Sequence, residues 1–395
     1  MKTKSKRIES IDVLRGLAMI LMALDHVRDY TNYGYLYIDP TNMDTTTPGL
    51  FFTRWITHFC APVFVFLAGT SAFLYGSQKQ SKKTLSKFLF TRGLWLIFIE
   101  LTVVNLAWTF DIALGLHIFQ VIWAIGICMV FLSALIYLQK RLLIVLGFLI
   151  LVGHNLLDGI TAQGNDIGSI LWYMTHQQGA AFYNNGETML FIAYPFLPWL
   201  GIMILGYCFG TLYHKEFSAS IRRKWLLYLG LTAITVFIGL RFVNGYGNLT
   251  PWNKEENFMY TLMSFINTTK YPPSLLYALM TLGPAMILLY LIDAVKNRWT
   301  RILVVIGRVP FFYYIIHLYL IHFIGIIGLL VLGENWKEMI FTTSRFTSGY
   351  LATKGFDLWL TYIVWVIVVV LLYPICKKYM TYKLENKDKW WLSYL

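Results

Sequence analysis

The chain reads as an all-α polytopic membrane protein of about ten transmembrane helices, with both termini in the cytoplasm. Two observations predict this. Of the 395 residues, 57% are hydrophobic and only 13% are charged, about half the charge of a soluble domain. The apolar residues also gather in ten runs, most near the roughly 20 residues that cross a bilayer. These lie near 11–28, 55–75, 89–110, 118–138, 142–157, 191–212, 225–242, 274–294, 309–332 and 358–376, and all ten are expected to be helices. The run at 142–157 is short, so its ends are not fixed by the sequence.

Basic residues orient the runs. Lys2, Lys4, Lys6 and Arg7 precede the first, which places the N-terminus inside. Alternating from there, every inside segment is basic: Lys79, Lys82, Lys83, Lys87 and Arg92, then Lys140 and Arg141, then Lys215 and Arg222 to Lys224, then Lys296, Arg298 and Arg301, and a tail with Lys377, Lys378, Lys383, Lys387 and Lys389. With Arg15 and Arg308 at inner helix ends, 25 of the 33 Lys and Arg residues fall inside. A net charge of +13 spread over so many loops sets topology, and a nucleic-acid partner is not expected. The first run starts like a signal peptide, but Asp12 and Arg15 interrupt it and no clear small-residue cleavage site follows. It is expected to stay as a helix. No linker, low-complexity segment or internal repeat divides the chain, so residues 1–395 are expected to form one domain.

The longer outside segments, 158–190, 243–273 and 333–357, are rich in Asn, Thr, Gly, Tyr and Trp, including Trp172, Tyr183, Tyr246, Trp252 and Tyr271. Such groups suit a sugar-like acceptor, and they equally suit a membrane interface. Asn248-Leu249-Thr250 and Asn267-Thr268-Thr269 match the glycosylation sequon, a common chance match. Cys60, Cys128, Cys208 and Cys376 are scattered, with no CxxC spacing. They suggest buried thiols rather than a disulfide framework, and no zinc spacing stands out, so no metal is expected.

The first helix carries the chemistry. Arg15 and His26 are eleven positions apart, or three turns plus about 20°, and so share a face about 16 Å apart along the axis. Met19 and Met22 lie on the stripe between them. A donor held by its charged head at Arg15 could extend an arm along this stripe to His26, and the pantetheine arm of an acyl-CoA has about that reach. Histidine is the usual general base near neutrality, and Asp25 or Asp29 could orient it. Arg92 and Arg308, also at inner helix ends, could join Arg15 on the CoA phosphates or simply set topology. Charged and polar groups inside spans tend to line cavities or bind one another. Glu100, Asn105 and Gln120 are therefore candidates for a substrate pocket, as are His317 and His322, whose spacing puts them about 140° apart so that at least one is expected to serve packing. His58 stands at about the depth of His26. His154 and Asp158, four apart, can form a local pair.

These residues also carry a resemblance. The opening Ser10-Ile11-Asp12-Val13-Leu14-Arg15-Gly16-Leu17-Ala18 is similar to the first-helix signature of the heparan-α-glucosaminide N-acetyltransferase catalytic-domain family, within the transmembrane acyltransferase superfamily, bacterial members of unassigned substrate included. The Arg15–His26 spacing resembles the arginine, ten residues, histidine motif of the related acyltransferase-3 branch. Pro62 to Ser71, Gly307 to His322 and Trp390 to Leu395 also resemble family segments. The resemblance implies transfer of an acyl group, acetyl in the first instance, from cytosolic acyl-CoA to a glycan or glycolipid across a cell membrane, with acyl-CoA as the donor substrate. There is one departure. The lysosomal enzyme has an asparagine at the end of the first helix and its catalytic histidine in the following loop; here His26 takes the asparagine's place and 30–53 holds no histidine. His26 and His58 are thus both candidates for the base. A transporter or flippase for a small solute or lipid-linked sugar is the alternative; it predicts interrupted helices in two related halves. Assembly of the chain with copies of itself is left open.

Overall fold

A computed structural model describes residues 8–293, 295–386 and 388–393. The orienting residues Lys2, Lys4, Lys6, Arg7 and Lys387 lie outside them, as do Tyr394 and Leu395 of the terminal segment. The helices are α1 (Glu9–Thr31), α2 (Pro48–Thr57), α3 (Cys60–Lys79), α4 (Lys82–Ile99), α5 (Asn105–Thr109), α6 (Val121–Leu135), α7 (Lys140–Gly153), α8 (Ile167–Thr175), α9 (Phe196–Phe209), α10 (Ala219–Val243), α11 (Phe258–Ile266), α12 (Leu275–Ile292), α13 (Arg298–Arg308), α14 (Pro310–Val331), α15 (Thr343–Ser348) and α16 (Leu358–Glu385). Each of the ten apolar runs is helical over most of its length, although 118–119 and 191–192 belong to strands. Eight helical stretches, Pro48–Lys79, Lys82–Thr109, Lys140–Leu157, Phe196–Tyr213, Ala219–Val243, Leu275–Ile292, Pro310–Val331 and Leu358–Glu385, are long and apolar enough to cross a membrane. The other two expected spans are α6, apolar but short, and α1, which carries charge along its length.

Local chemistry sets the ends. Ser81 accepts from Thr84 N to start α4, Ser274 accepts from Tyr277 N to start α12, and Asn297 and Thr300 form a reciprocal capping box at α13. Pro48 and Pro310 sit in first turns, where a missing N–H costs nothing.

The segments expected as loops also hold structure: α8, α11 and α15 lie in the outer ones, and two further features stand out. Helix α13 occupies an inside segment expected to be irregular; it buries Val305, Ile306 and Gly307 and leaves its arginines at the rim. It packs on α1, where a Cβ at Gly16 would strike the Leu303 carbonyl and one at Gly307 the Asp12 carbonyl, so the two backbones meet only because both are glycine. The second is a three-stranded sheet. Strand β1 (Leu116–Phe119) runs parallel to β3 (Thr188–Ile192), which pairs antiparallel with β2 (Gly179–Tyr183). Asn184, Asn185 and Gly186 turn the hairpin at positive φ.

Burial runs opposite to that of a soluble protein. In the stretch Phe196–Tyr213, 72% of the apolar segment is buried in protein; in Leu358–Glu385 only 17% is. At the centre, α1 packs against α2, α3, α12, α13, α14 and α16.

Candidate active site

Near the C-terminal end of α1, His26 is buried against α14. Its Nδ1 lies 2.8 Å from His317 Nε2, and the two rings stack 5.0 Å apart. His317 Nδ1 lies 2.8 Å from the Tyr313 carbonyl one turn earlier on α14. A carbonyl only accepts, so His317 Nδ1 carries the proton. In the neutral ring its Nε2 then accepts, and His26 Nδ1 donates to it. This assignment leaves His26 Nε2 with a lone pair. The Trp108 ring stands edge-on to His26 at 4.9 Å. The arrangement is a relay of backbone carbonyl, imidazole and imidazole, in which the first ring fixes the tautomer of the second.

His26 opens onto a small cavity lined by residues from several elements, among them Met22, Asp25, Cys60, Gln120, Tyr194, Lys270 and Tyr314. Of the polar residues expected in a pocket, Gln120 is there. Glu100 and Asn105 are held elsewhere. Glu100 accepts from Gln120 N at 3.2 Å and Trp123 N at 3.1 Å, which places its carboxylate at the N-terminus of α6, where N–H groups lack helical partners. Asn105 donates to Leu116 O and accepts from Ile118 N, at 2.8 and 2.9 Å, and so stitches β1 to α5. His322 has Ala107 O and Met339 O each 2.8 Å from a ring nitrogen and stacks on Phe110. It is taken up by these two carbonyls and does not line the His26 cavity.

The carboxylates take a different place from the one expected. Asp25 pairs with Arg54 and, at 3.0 Å, with Arg28 Nη2; Asp29 pairs with Arg28. His26 is oriented by His317, not by Asp25 or Asp29, because two guanidinium groups within reach bind a carboxylate more strongly than a neutral imidazole does. His58 is buried, gives its carbonyl to Tyr277 OH at 2.7 Å and packs edge-on to the Tyr277 ring. Its neighbours Thr57 and Cys60 line the His26 cavity. Lys270, Arg54 and His317's role as partner escaped the sequence reading. The available signal was charge: Arg54 and Lys270 are cations in segments expected outside, against the general trend.

At the other end of α1, Asp12 is buried between two cations. Arg15 Nη1 lies 3.4 Å from Asp12 Oδ1 and Arg308 Nε lies 3.5 Å from Oδ2. Arg15 also donates to Ser71 Oγ at 3.0 Å. Arg308 lines a wide groove with Ser10, Arg222, Lys296 and Arg301. Arg92 lies over the Trp95 ring at 4.9 Å. Met19, 2% exposed, is packed between the two ends, and Met22 reaches the His26 cavity.

Residues 7–243 match the family pattern described as heparan-alpha-glucosaminide N-acetyltransferase, catalytic. That is well over half of the chain and takes in α1 to α10, with His26, Arg54 and His58. His317 and Lys270 lie beyond the matched residues. No curated protein matches the chain.

Proposed function

Because the chain belongs to the heparan-alpha-glucosaminide N-acetyltransferase catalytic family, and so to a family of membrane acetyltransferases, we propose that it transfers an acyl group, acetyl in the first instance, from cytosolic acyl-CoA to a glycan or glycolipid on the far side of a cell membrane. The observation that carries this reading is the His26–His317–Tyr313 relay. It leaves a basic nitrogen on a cavity that mixes apolar walls with the polar groups of Gln120, Tyr194 and Lys270.

In this reading residues 1–395 work as one unit with both termini in the cytoplasm. The phosphates of the donor lie in the groove of Arg222, Lys296, Arg301 and Arg308, where the cations outnumber the carboxylates Glu9 and Asp293. Arg15 joins it through Asp12, the carboxylate it shares with Arg308. The thioester reaches His26 once Met19 and Met22, flexible thioether chains, move aside. His26 Nε2 takes the proton of the acceptor hydroxyl or amine. The acceptor's oxygen or nitrogen then bonds to the acyl carbon, the carbon–sulfur bond breaks, and the proton passes to the CoA thiolate. Lys270 and the Gln120 amide are donors for the charge that builds on the acyl oxygen. The same residues serve a route in which His26 attacks first and forms an acyl-histidine; acid-quench trapping of labelled protein distinguishes the two.

The test is His26→Ala in the full chain in detergent. Labelled acetyl transfer to glycan and glycolipid extracts should fall by about 10²–10⁴-fold, while acetyl-CoA still gives a saturable thermal shift. Full activity of this variant removes His26 from the reaction. A wild-type chain indifferent to acyl-CoA removes the acyltransferase reading and favours transport.

A further inference from the structure

The end of α7 opposite Lys140 holds a second cluster of chemistry-bearing side chains. His154 begins a short turn after α7, Asp158 follows it, and His176 caps the C-terminus of α8. One ligand atom from each lies within 4.8 Å of the other two. Both histidines are 2% exposed, and among the described residues none of their ring nitrogens has a hydrogen bond of good geometry, although the Pro273 backbone comes near His154. His176 Nε2 comes within 3.2 Å of Asp158 Oδ1. Buried imidazole nitrogens left short of partners are costly unless something binds them.

We infer that His154, His176 and Asp158 form a site for a divalent transition-metal ion of the zinc class. Two imidazoles and a carboxylate are a donor set that Zn2+ accepts. Four-coordinate zinc at the usual bond lengths sets its ligand atoms ~3.4 Å apart, so the widest pair here closes by an ångström or so. The surroundings suit such closure. Asn155 donates to Asp158 Oδ2 at 2.9 Å, which leaves Oδ1 toward His176, and Asn155 in turn accepts from Leu275 N. This is the supporting shell that orients ligating carboxylates. Trp172 packs by His176 and donates to the Ile160 carbonyl at 3.0 Å, holding the ligand-bearing turn on α8. Asp158 is partly exposed and gives the ion a way in. Three protein ligands leave a fourth position for water, and the ion clamps α7 to α8.

The experiment uses the full chain in detergent, free of any affinity tag and stripped with EDTA. Zn2+ alone is expected to bind at about one ion per chain and to raise the melting temperature saturably. Co2+ in its place should give the visible bands of a four-coordinate site with nitrogen ligands, and Mg2+ and Ca2+, which prefer all-oxygen sites, should give no shift. His154→Ala and His176→Ala should each abolish the Zn2+ shift, and Asn155→Ala should weaken Zn2+ binding roughly tenfold. No uptake by the wild type, or a Zn2+ shift unchanged in both histidine variants, overturns the site. If the alanine variants fail to fold, the wild-type Co2+ spectrum decides alone, and a six-coordinate spectrum without nitrogen ligation also overturns it.

Discussion

Helices α1 and α16 are both long enough to cross a bilayer, and they are built in opposite ways. In α1, 18 of 23 residues are buried, and they include Asp12, Asp25, His26, Arg28 and Asp29. In α16 only Thr361, Val368, Leu372 and Cys376 of 28 are buried, while Val366, Ile367 and Val370 stand exposed. In water the more polar helix would lie outside. Here lipid solvates the apolar one, and the polar one is wrapped by its neighbours, where each charge finds a partner. Stability alone does not ask for this, since apolar side chains of like size often serve as well as a buried ion pair. The charges and imidazoles of α1 are therefore where function is sought, and α16 serves as the control.

The sharpest way to break the contrast is to truncate one side chain on each helix. His26→Ala should lower acyl transfer by about 10²–10⁴-fold, and Val370→Ala should leave it unchanged, both measured with labelled acetyl-CoA. Equal losses would mean that α1 is no more than another wall.

Next in size is the ion cluster beside His26. Asp25 sits between Arg28 and Arg54, so Asp25→Asn leaves two buried guanidinium groups short of a counter-charge. Removing one partner of a buried pair costs about 3–5 kcal/mol. The melting temperature in detergent should fall accordingly, and Asp25→Asn with Arg54→Gln should recover part of the loss. A single variant as stable as wild type would show that these charges are hydrated rather than paired.

His317 tests the relay. His317→Ala removes the acceptor of the His26 Nδ1 proton and frees the ring to turn or change tautomer, so kcat should fall by roughly 10–100-fold, the range for losing a residue that orients a reactive one, with the KM for acyl-CoA little changed. His317→Gln, whose amide oxygen can still accept, should recover part of the rate. Equal rates for the two variants would reduce His317 to a packing role.

These residues also mark what the sequence makes legible. All ten runs are visible because length and apolarity are local, and His26 stands out because it is polar, on α1 and on the face of Arg15. Its partner does not, because 291 positions separate the two rings and the nearer carboxylates offer themselves first. Asp25 and Asp29 stand one and three positions from His26 but are claimed by Arg28 and Arg54, and Arg54 comes from a different helix. Glu100 and Asn105 look like pocket residues because each is polar in an apolar run. Their real partners are backbone groups of α6 and β1, which periodicity does not identify. The hairpin of β2 and β3 did leave a signal in Asn185-Gly186, hidden within a stretch read as loop. Helix α13 was hidden by its arginines, which read as inside-loop charge while Leu303 and Gly307 met the backbone of α1.

The smallest effect separates burial in protein from burial in lipid. Val27 on α1 is 0% exposed and Val370 on α16 is 63% exposed. Val27→Ala opens a gap that its neighbours cannot fill, at about 1–2 kcal/mol. Val370→Ala gives up contacts with acyl chains, which re-form around the shorter side chain, so its cost should stay within the ~0.5 kcal/mol typical of surface positions. Thermal unfolding in one detergent measures both. If the two variants melt together, the face of α16 with Val366 and Val370 is covered by protein, and a second copy of the chain becomes the candidate to cover it.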